Sequence, residues 1–409
     1  MSRELAAGNQ SGYNLRVPQE TPPFSLKEKV LPVSEGSTDL TSDELAEARQ
    51  YRRLDLAVTL VDRVVDIAYL TVAAFYLALP IADWLWSVPG VGAFRSVRLV
   101  AMLVILMGLQ AVISFPLLVY SGFFLEHRFK LSTLTFRGWL WRYAKRLLIG
   151  GAFTVIVFLG LYLVIWHTGR YWWLAGAGAF FVLSIVLGQL VPVLILPLFY
   201  KIDRLDAPEL SARFTRLAEG TGLSIEGVYR MGLSAETVKA NAMLAGLGRT
   251  RRVLLGDTLL DKFTPDEIEV IFAHEVGHHV FRHIHKMIFG GLVLSMAGFW
   301  IVDRLLVWWA GSGGRLDYTN LPISTLPMIM LILTVFGLAL EPLQNAVGRH
   351  FERQCDRYAL RRTGMKDAFR SAFRKLARLN KSDPDPPRLE VLWLYSHPPI
   401  SQRLALAEE

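Results

Sequence analysis

His274-Glu275-Val276-Gly277-His278 sets two imidazoles four residues apart with a carboxylate between them. On an α-helix such positions share a face, so both rings can reach a single metal ion. Tetrahedral Zn²⁺ is the usual occupant of this pair, and the intervening Glu275 is placed to take a proton from a water on that metal. This is the core of a zinc peptidase. A catalytic zinc needs a third protein ligand and keeps one position open for water. Glu352 and Asp356 are the candidates, two carboxylates one helical turn apart. One can bind the metal while the other holds a ligand His from behind.

Such chemistry requires a helix around His274, and the sequence supplies its start. Thr264 serves as N-cap, Pro265 occupies the first helical position and Glu267 closes a capping box. Ile268, Ile271, Phe272, Val276 and Val280 then form an apolar stripe at helical spacing. His279, His283 and His285 follow and read as interfacial polar residues. Upstream, Lys201–Lys262 is a polar insert. It holds a helix over Glu209–Gly220 and a hairpin of Val238–Ala245 with Arg252–Leu255 around Gly246–Arg249. Asn241, on the first of these strands, can bind substrate main chain by strand addition. Downstream, Pro342 kinks or restarts the helix that carries Glu352 to about Leu360. A basic helix (Lys366–Leu379), a Pro/Asp loop and a final helix complete the tail.

The surroundings are a membrane. Of the 409 residues 52% are hydrophobic, too many for an ordinary soluble enzyme of this length. Six apolar runs can cross the hydrocarbon: Leu56–Leu79, Val97–Phe124, Leu147–Trp166, Trp172–Tyr200, Met287–Trp309 and Leu326–Leu340. Tyr and Trp gather at their ends, as at membrane–water interfaces. Lys and Arg concentrate before the first run, after the second and after the fourth, and in the C-terminal region. The positive-inside rule therefore places both termini and the zinc helix in the cytoplasm. The membrane is the inner membrane in a bacterium and the endoplasmic reticulum in a eukaryote. This asymmetry explains the net charge of +8 without nucleic-acid binding. The single Cys excludes an internal disulfide and a Cys-rich zinc site, and Cys355 reads as a packing residue.

The expected fold is mainly α, a polytopic bundle of about six transmembrane helices enclosing a chamber, with a small α+β catalytic domain containing a β-hairpin. Residues 1–54 form a flexible segment with a short amphipathic helix over Asp39–Arg53, and 55–200 a four-helix membrane bundle. Residues 201–409 form the peptidase domain, with two further spans near 287–309 and 326–341. Asp62, Arg63, Asp66, Asp303 and Glu341 are charges at membrane depth, which usually face a partner or water. An Asp66–Arg63 pair is one reading. A hydrated chamber that controls access to the zinc is the other.

The chain resembles the integral-membrane gluzincin peptidases that include the type I CAAX prenyl endopeptidases. The resemblance runs from about Ala46 onward. It covers Glu126-His127-Arg128-Phe129, Trp139, Pro197–Lys201, Ala240-Asn241-Ala242, Leu255–Leu260, His274–His278, Glu352-x-x-x-Asp356, and Ser396-His397-Pro398-Pro399 with Arg403. It implies Glu352 as third zinc ligand beside His274 and His278, and Asp356 as its support. It also implies His397 and Arg403 lining the active site and Asn241 and Ala242 binding substrate. Gly348 and Cys355 depart from the small Ser and Ala common in that motif, and Ala240 from a frequent Ser. These departures alter packing and leave the ligands alone. Taken with that resemblance, His397 is a donor to the developing oxyanion. Arg403 pairs with a carboxylate, either near Glu352 or at a peptide's C-terminus.

One zinc ion per chain, a lipid bilayer and a peptide or protein substrate, lipidated or not, are the implied partners. The leading function is a membrane-embedded metalloendopeptidase resembling CAAX prenyl proteases. Membrane-protein quality control is a second reading. A transporter or scaffold with a vestigial metal site is a third, against which the intact Glu275 argues.

Overall fold

The computed structural model describes residues 40–246, 251–310 and 316–409. Most of the expected flexible N-terminal segment, residues 1–39, lies outside the described residues, as do residues 247–250 of the hairpin turn and Arg315. Thr41 caps the first helix: its hydroxyl accepts from the Glu44 amide at 3.2 Å while the Glu44 carboxylate accepts the Thr41 amide at 2.9 Å. That helix, α1 (Ser42–Ser87), continues straight into the membrane. The separate short amphipathic helix ending at Arg53 is therefore corrected, because no Gly or Pro stands before Pro80 to stop it.

Helices α2 (Arg95–Arg128), α3 (Phe136–Thr168) and α4 (Trp172–Leu190) follow. Five stretches among the described residues are long and apolar enough to cross a membrane. One of them, Phe136–Phe199, breaks at Gly169, whose φ of +58° a side chain would resist. Its two halves, α3 and α4, pack on each other, so the described residues make six helical passes. Leu99, Met102, Tyr162, Trp172 and Val302 fill the bundle interior. Outward side chains such as Val64, Phe75, Val112 and Phe289 are more than half exposed, as a lipid-facing surface requires.

The polar insert folds as a four-stranded sheet with β1 (Ile202–Arg204), β2 (Gly227–Met231), β3 (Ala242–Ala245) and β4 (Arg252–Gly256). The order is β1-β2-β4-β3, with β2 parallel to β4 and the expected hairpin antiparallel, Ala242 opposite Leu255. β3 is thus an outer edge. β1 and β2 add to the expected hairpin two short strands that the sequence pattern does not mark. Against this sheet pack α5 (Pro208–Ala218) and α6 (Pro265–Val280), joined by Phe214 stacked on Phe272 at 4.1 Å. Two more membrane helices, α7 (His283–Ala310) and α8 (Leu326–Thr363), and the tail helices α9 (Lys366–Asn380) and α10 (Ile400–Leu406) complete the domain.

Buried charges at membrane depth are partnered. Asp303, wholly buried, accepts from Trp172 Nε1 at 2.8 Å and Tyr318 OH at 2.7 Å and pairs with Arg304. Arg63 pairs with Glu341 at 2.7 Å, and Asp66 accepts from Gln110, so the Arg63–Asp66 pairing is corrected: each side chain finds a partner across the bundle. Asp62, Asp66, Gln110 and Ser114 line a cavity of about 420 Å³ inside it.

The membrane and catalytic parts are stitched together on one side. The basic loop after α2 forms a bridge between Ser132 and Thr237, and Glu126 accepts from Tyr51 OH at 2.6 Å and Lys239 Nζ at 3.1 Å. At the start of α1, Glu44 pairs with Arg378, Glu47 with Lys381 and Arg52 with Asp383, so the first helix holds down the far wall of the catalytic domain.

Asp257 fixes the segment leading to β3. Its Oδ1 accepts the amides of Leu233, Ser234 and Thr258 at 2.8–2.9 Å, and Oδ2 accepts the Ser234 hydroxyl at 2.5 Å. Beside it Gly256 has no room for a side chain, since a Cβ would stand 2.7 Å from Leu233 Cδ1 and 3.0 Å from Asn241 O. Burial opposes the Asp257 carboxylate, but these donors outweigh it and hold its pKa below the ordinary value. Asp257→Asn should destabilise the detergent-purified protein by about 1–3 kcal/mol at neutral pH. A carboxyl with a depressed folded-state pKa contributes stability above its unfolded value, and loses it as pH falls through the lower folded one. The gap in melting temperature between wild type and variant should therefore shrink as pH drops below about 4.

Candidate metal centre

The α6 helix begins as its sequence dictates, with Thr264 Oγ1 accepting the Glu267 amide at 3.3 Å and the Glu267 carboxylate accepting the Thr264 amide at 2.8 Å. Ile268, Ile271, Phe272 and Val276 are buried, whereas Val280, at the helix end, is 37% exposed and leaves the stripe. The opposite face carries His274, Glu275 and His278 towards α8. The two helices meet at Gly277, where a Cβ would stand 3.0 Å from Cys355 Cα. Glycine is what permits this approach. Gly348 does the same for the loop before α10, a Cβ there meeting Ser396 O at 2.9 Å.

The imidazole edges converge on one carboxylate. His274 Nε2 lies 3.1 Å from Glu352 Oε2, and His278 Nε2 lies 3.3 Å from Glu352 Oε1. Glu352 Oε2 is buried with no hydrogen-bond partner. A buried carboxylate that faces an imidazole nitrogen with each oxygen, one of them orphaned, is what a cation site requires. Zinc fits this donor set, two nitrogens and one carboxylate. Cys355 Sγ also lies within 4.8 Å of ring nitrogens of His274 and His278. It packs against Gly277, however, and approaches His283 Nδ1 at 3.6 Å.

Behind His274, Nδ1 donates to Asp356 Oδ1 at 2.9 Å, so in the neutral ring Nε2 is the bare nitrogen. Asp356 is wholly buried, and Arg403 neutralises it with Nε to Oδ2 at 2.9 Å and Nη2 to Oδ1 at 2.5 Å. The guanidinium lies over Phe373 at 3.9 Å. Burial alone disfavours protonated His274, but Asp356 and Glu352 outweigh it and push the ring up to about 9, a measure of how strongly this cage attracts positive charge. Burial also raises the Glu275 carboxyl above its ordinary value, opposed by His274, His278 and the Leu244 backbone on β3.

A cavity of about 380 Å³ is lined by His274, Glu275, Glu352, His397 and Arg403, with Asn241 and Ala242 along one wall. His397 Nε2 lies 3.5 Å from Glu352 Oε1, its side chain 61% exposed. The structure thus brings together every candidate catalytic, metal and substrate residue, with His278 joining through Glu352 and Asp356 through His274. Two readings change. Arg403 is committed to Asp356 rather than free for a peptide's C-terminus. His283 is fully buried rather than interfacial, with Nδ1 3.2 Å from His278 Nδ1 and Nε2 2.9 Å from Gln354 Oε1. Its spacing of five residues from His278 crosses the turn at Arg282, where φ is +54°, and no helical pattern reveals it. A larger cavity of about 560 Å³ by His279, Arg282 and His285 contains none of Glu275, Glu352 or His397.

Arg403→Met would strand a buried carboxylate, and an expected destabilisation of about 3–5 kcal/mol follows, read as a fall in melting temperature. Adding Asp356→Asn to that variant should recover part of the loss.

Residues 204–409 match the model of peptidase family M48, and residues 16–201 match the CAAX prenyl protease N-terminal domain, described as having five membrane helices. The described part of that stretch holds four passes. An uncharacterised metalloprotease, YhfN of Bacillus subtilis, is 30% identical over 324 residues, 77% of this chain and 74% of that protein. CAAX prenyl protease 1 of Saccharomyces cerevisiae is 28% identical over 404 residues, covering 92% and 88% of the two chains. The crystal structure of S. mikatae Ste24p superposes with a TM-score of 0.80 at 23% identity, over 94% of this chain and 93% of that one, and so has the same fold.

Proposed function

This chain belongs to peptidase family M48, and from that premise we propose how its residues divide the work. It is a CAAX prenyl protease-like membrane metallopeptidase with zinc as its cofactor, acting on peptides. In our reading His274, His278 and Glu352 hold the zinc. The observation that carries this is the convergence of both Nε2 atoms on the Glu352 carboxylate, one on each oxygen, with Oε2 buried and lacking a hydrogen bond. When bound, the metal supplies a Lewis acid and lowers the pKa of water in the site.

The remaining roles are those of the chain itself. Glu275 takes a proton from the attacking water and delivers it to the leaving amine, and its raised pKa brings it closer to that double duty. His397, open to the cavity beside Glu352, donates to the oxygen on which negative charge develops. Ala242, the first residue of β3, and Asn241, which lies just before the strand rather than on it as expected, hold the substrate main chain along the outer edge next to Glu275. Asp356 positions His274, and Arg403 positions Asp356. Both act through another side chain and touch no substrate.

The substrate we propose is the C-terminal region of a prenylated protein, supported by the relatives named CAAX prenyl protease 1. The active site faces the cytoplasm in this proposal. Support comes from the basic loop with Arg128, Lys130 and Arg137, which bridges to the catalytic domain at Thr237 and so shares its side of the membrane.

Glu275→Gln should retain zinc and lose cleavage of both farnesylated and unmodified peptides; turnover at the wild-type rate would defeat the assigned base. Glu352→Ala should lose most of its zinc by elemental analysis, and a stoichiometric metal content would remove Glu352 from the ligand set. A wild-type enzyme that cleaves farnesylated and unmodified peptides equally well would refute the proposed lipid preference.

A further inference from the structure

We propose that His283 and Gln354 form a relay that fixes the tautomer and ring plane of His278, so that α7, a membrane helix, helps to set the metal site. The inference rests on His278 being a zinc ligand. Three contacts in series carry it: His278 Nδ1 to His283 Nδ1 at 3.2 Å, His283 Nε2 to Gln354 Oε1 at 2.9 Å, and His278 Nε2 to Glu352 Oε1 at 3.3 Å.

The proton positions follow from what each atom can do. Gln354 Oε1 can only accept, so His283 Nε2 carries the hydrogen and Nδ1 of the neutral ring is bare. That bare nitrogen accepts from His278 Nδ1, which leaves His278 Nε2 without a hydrogen and facing the cation site. Reversing the Gln354 amide reverses every proton and puts a hydrogen on His278 Nε2, where a metal could not bind. Metal binding therefore selects one direction of the chain.

The relay is built rigidly. His283 has no exposed surface, so no water competes for its nitrogens. Its ring stacks on Phe351 at 4.0 Å with 11° between planes. Phe351 and Gln354 flank Glu352 on α8, the helix that also supplies Asp356 to His274. One helix thus orients both imidazoles, with a charged partner behind His274 and a neutral one behind His278. His283 is a positioning residue, acting through His278.

The test uses the full chain in detergent and measures zinc affinity by competition with a chelator, together with melting of the metal-stripped protein. His283→Phe keeps the stack on Phe351 and removes both nitrogens, so zinc affinity should fall about 10–100-fold while metal-free melting stays unchanged. His283→Asn places an amide oxygen near the former Nδ1 and should restore affinity to within a few-fold of wild type. Gln354→Met, which removes the terminal acceptor and leaves His283 in place, should also weaken zinc binding, and it serves if His283→Phe fails to fold. Wild-type affinity in His283→Phe or in Gln354→Met overturns the relay, as does His283→Asn binding no better than His283→Phe. His278→Ala is the control on the premise: if it keeps wild-type affinity, the ligand assignment itself fails and the relay with it. If it loses zinc while His283→Phe does not, the relay alone is wrong.

Discussion

Two helices approach so closely at Gly277 that any side chain there would press on the Cys355 backbone. That spacing lets Glu352 on α8 come within 3.1–3.3 Å of both imidazoles on α6. It also buries Asp356 completely, which would be costly for a lone carboxylate and is tolerable because Arg403 meets it with two hydrogen bonds. A wider separation would leave the carboxylate short of one ring or the other. The tail helix α10 is therefore part of the centre although it contributes no metal ligand: its Arg403 neutralises the charge that orients His274.

The sheet and the membrane bundle answer to the same requirement. Asp257 ties the chain before β3 to the turn after β4, and Gly256 lets Asn241 approach it. These contacts bring β3 alongside α6, where the Leu244 backbone favours the ionised form of Glu275. The loop between α2 and α3 holds the same segment from the membrane side through Glu126, Lys239 and the Ser132–Thr237 bridge. α7 and α8 run continuously from the bilayer into the catalytic domain, so the residues that orient His278 are anchored in membrane helices.

Much of this was legible in the residues. The capping box at Thr264, the His pair and its intervening Glu275 are local features, specified by side chains within one or two helical turns. The hairpin followed from two β-prone runs around a glycine-containing turn. Glu352 could be paired with the His motif because an excursion of two spans returns the chain to the same side. What stayed hidden depends on distance. β1 has three residues and pairs with a strand about 25 positions away, so it carries no periodic signal. His283 looked interfacial because its burial is set by Phe351 and Gln354, some 70 residues downstream. Arg63 and Asp66 looked like mutual partners at i+3, but in the packed bundle each reaches a neighbouring helix instead. Composition changes near Arg53 and suggests a division in α1, although the backbone has no reason to stop there.

The outer position of β3, where we propose that the substrate main chain lies, also bears on which proteins can be processed. An unpaired strand edge offers amides and carbonyls at the spacing of fully stretched chain, so a coiled or helical terminus would have to melt before it could lie down there. Under that proposal, selection acts on how freely a tail can be drawn out as well as on the letters it contains, and a terminus locked into its own folded domain is passed over whatever its sequence.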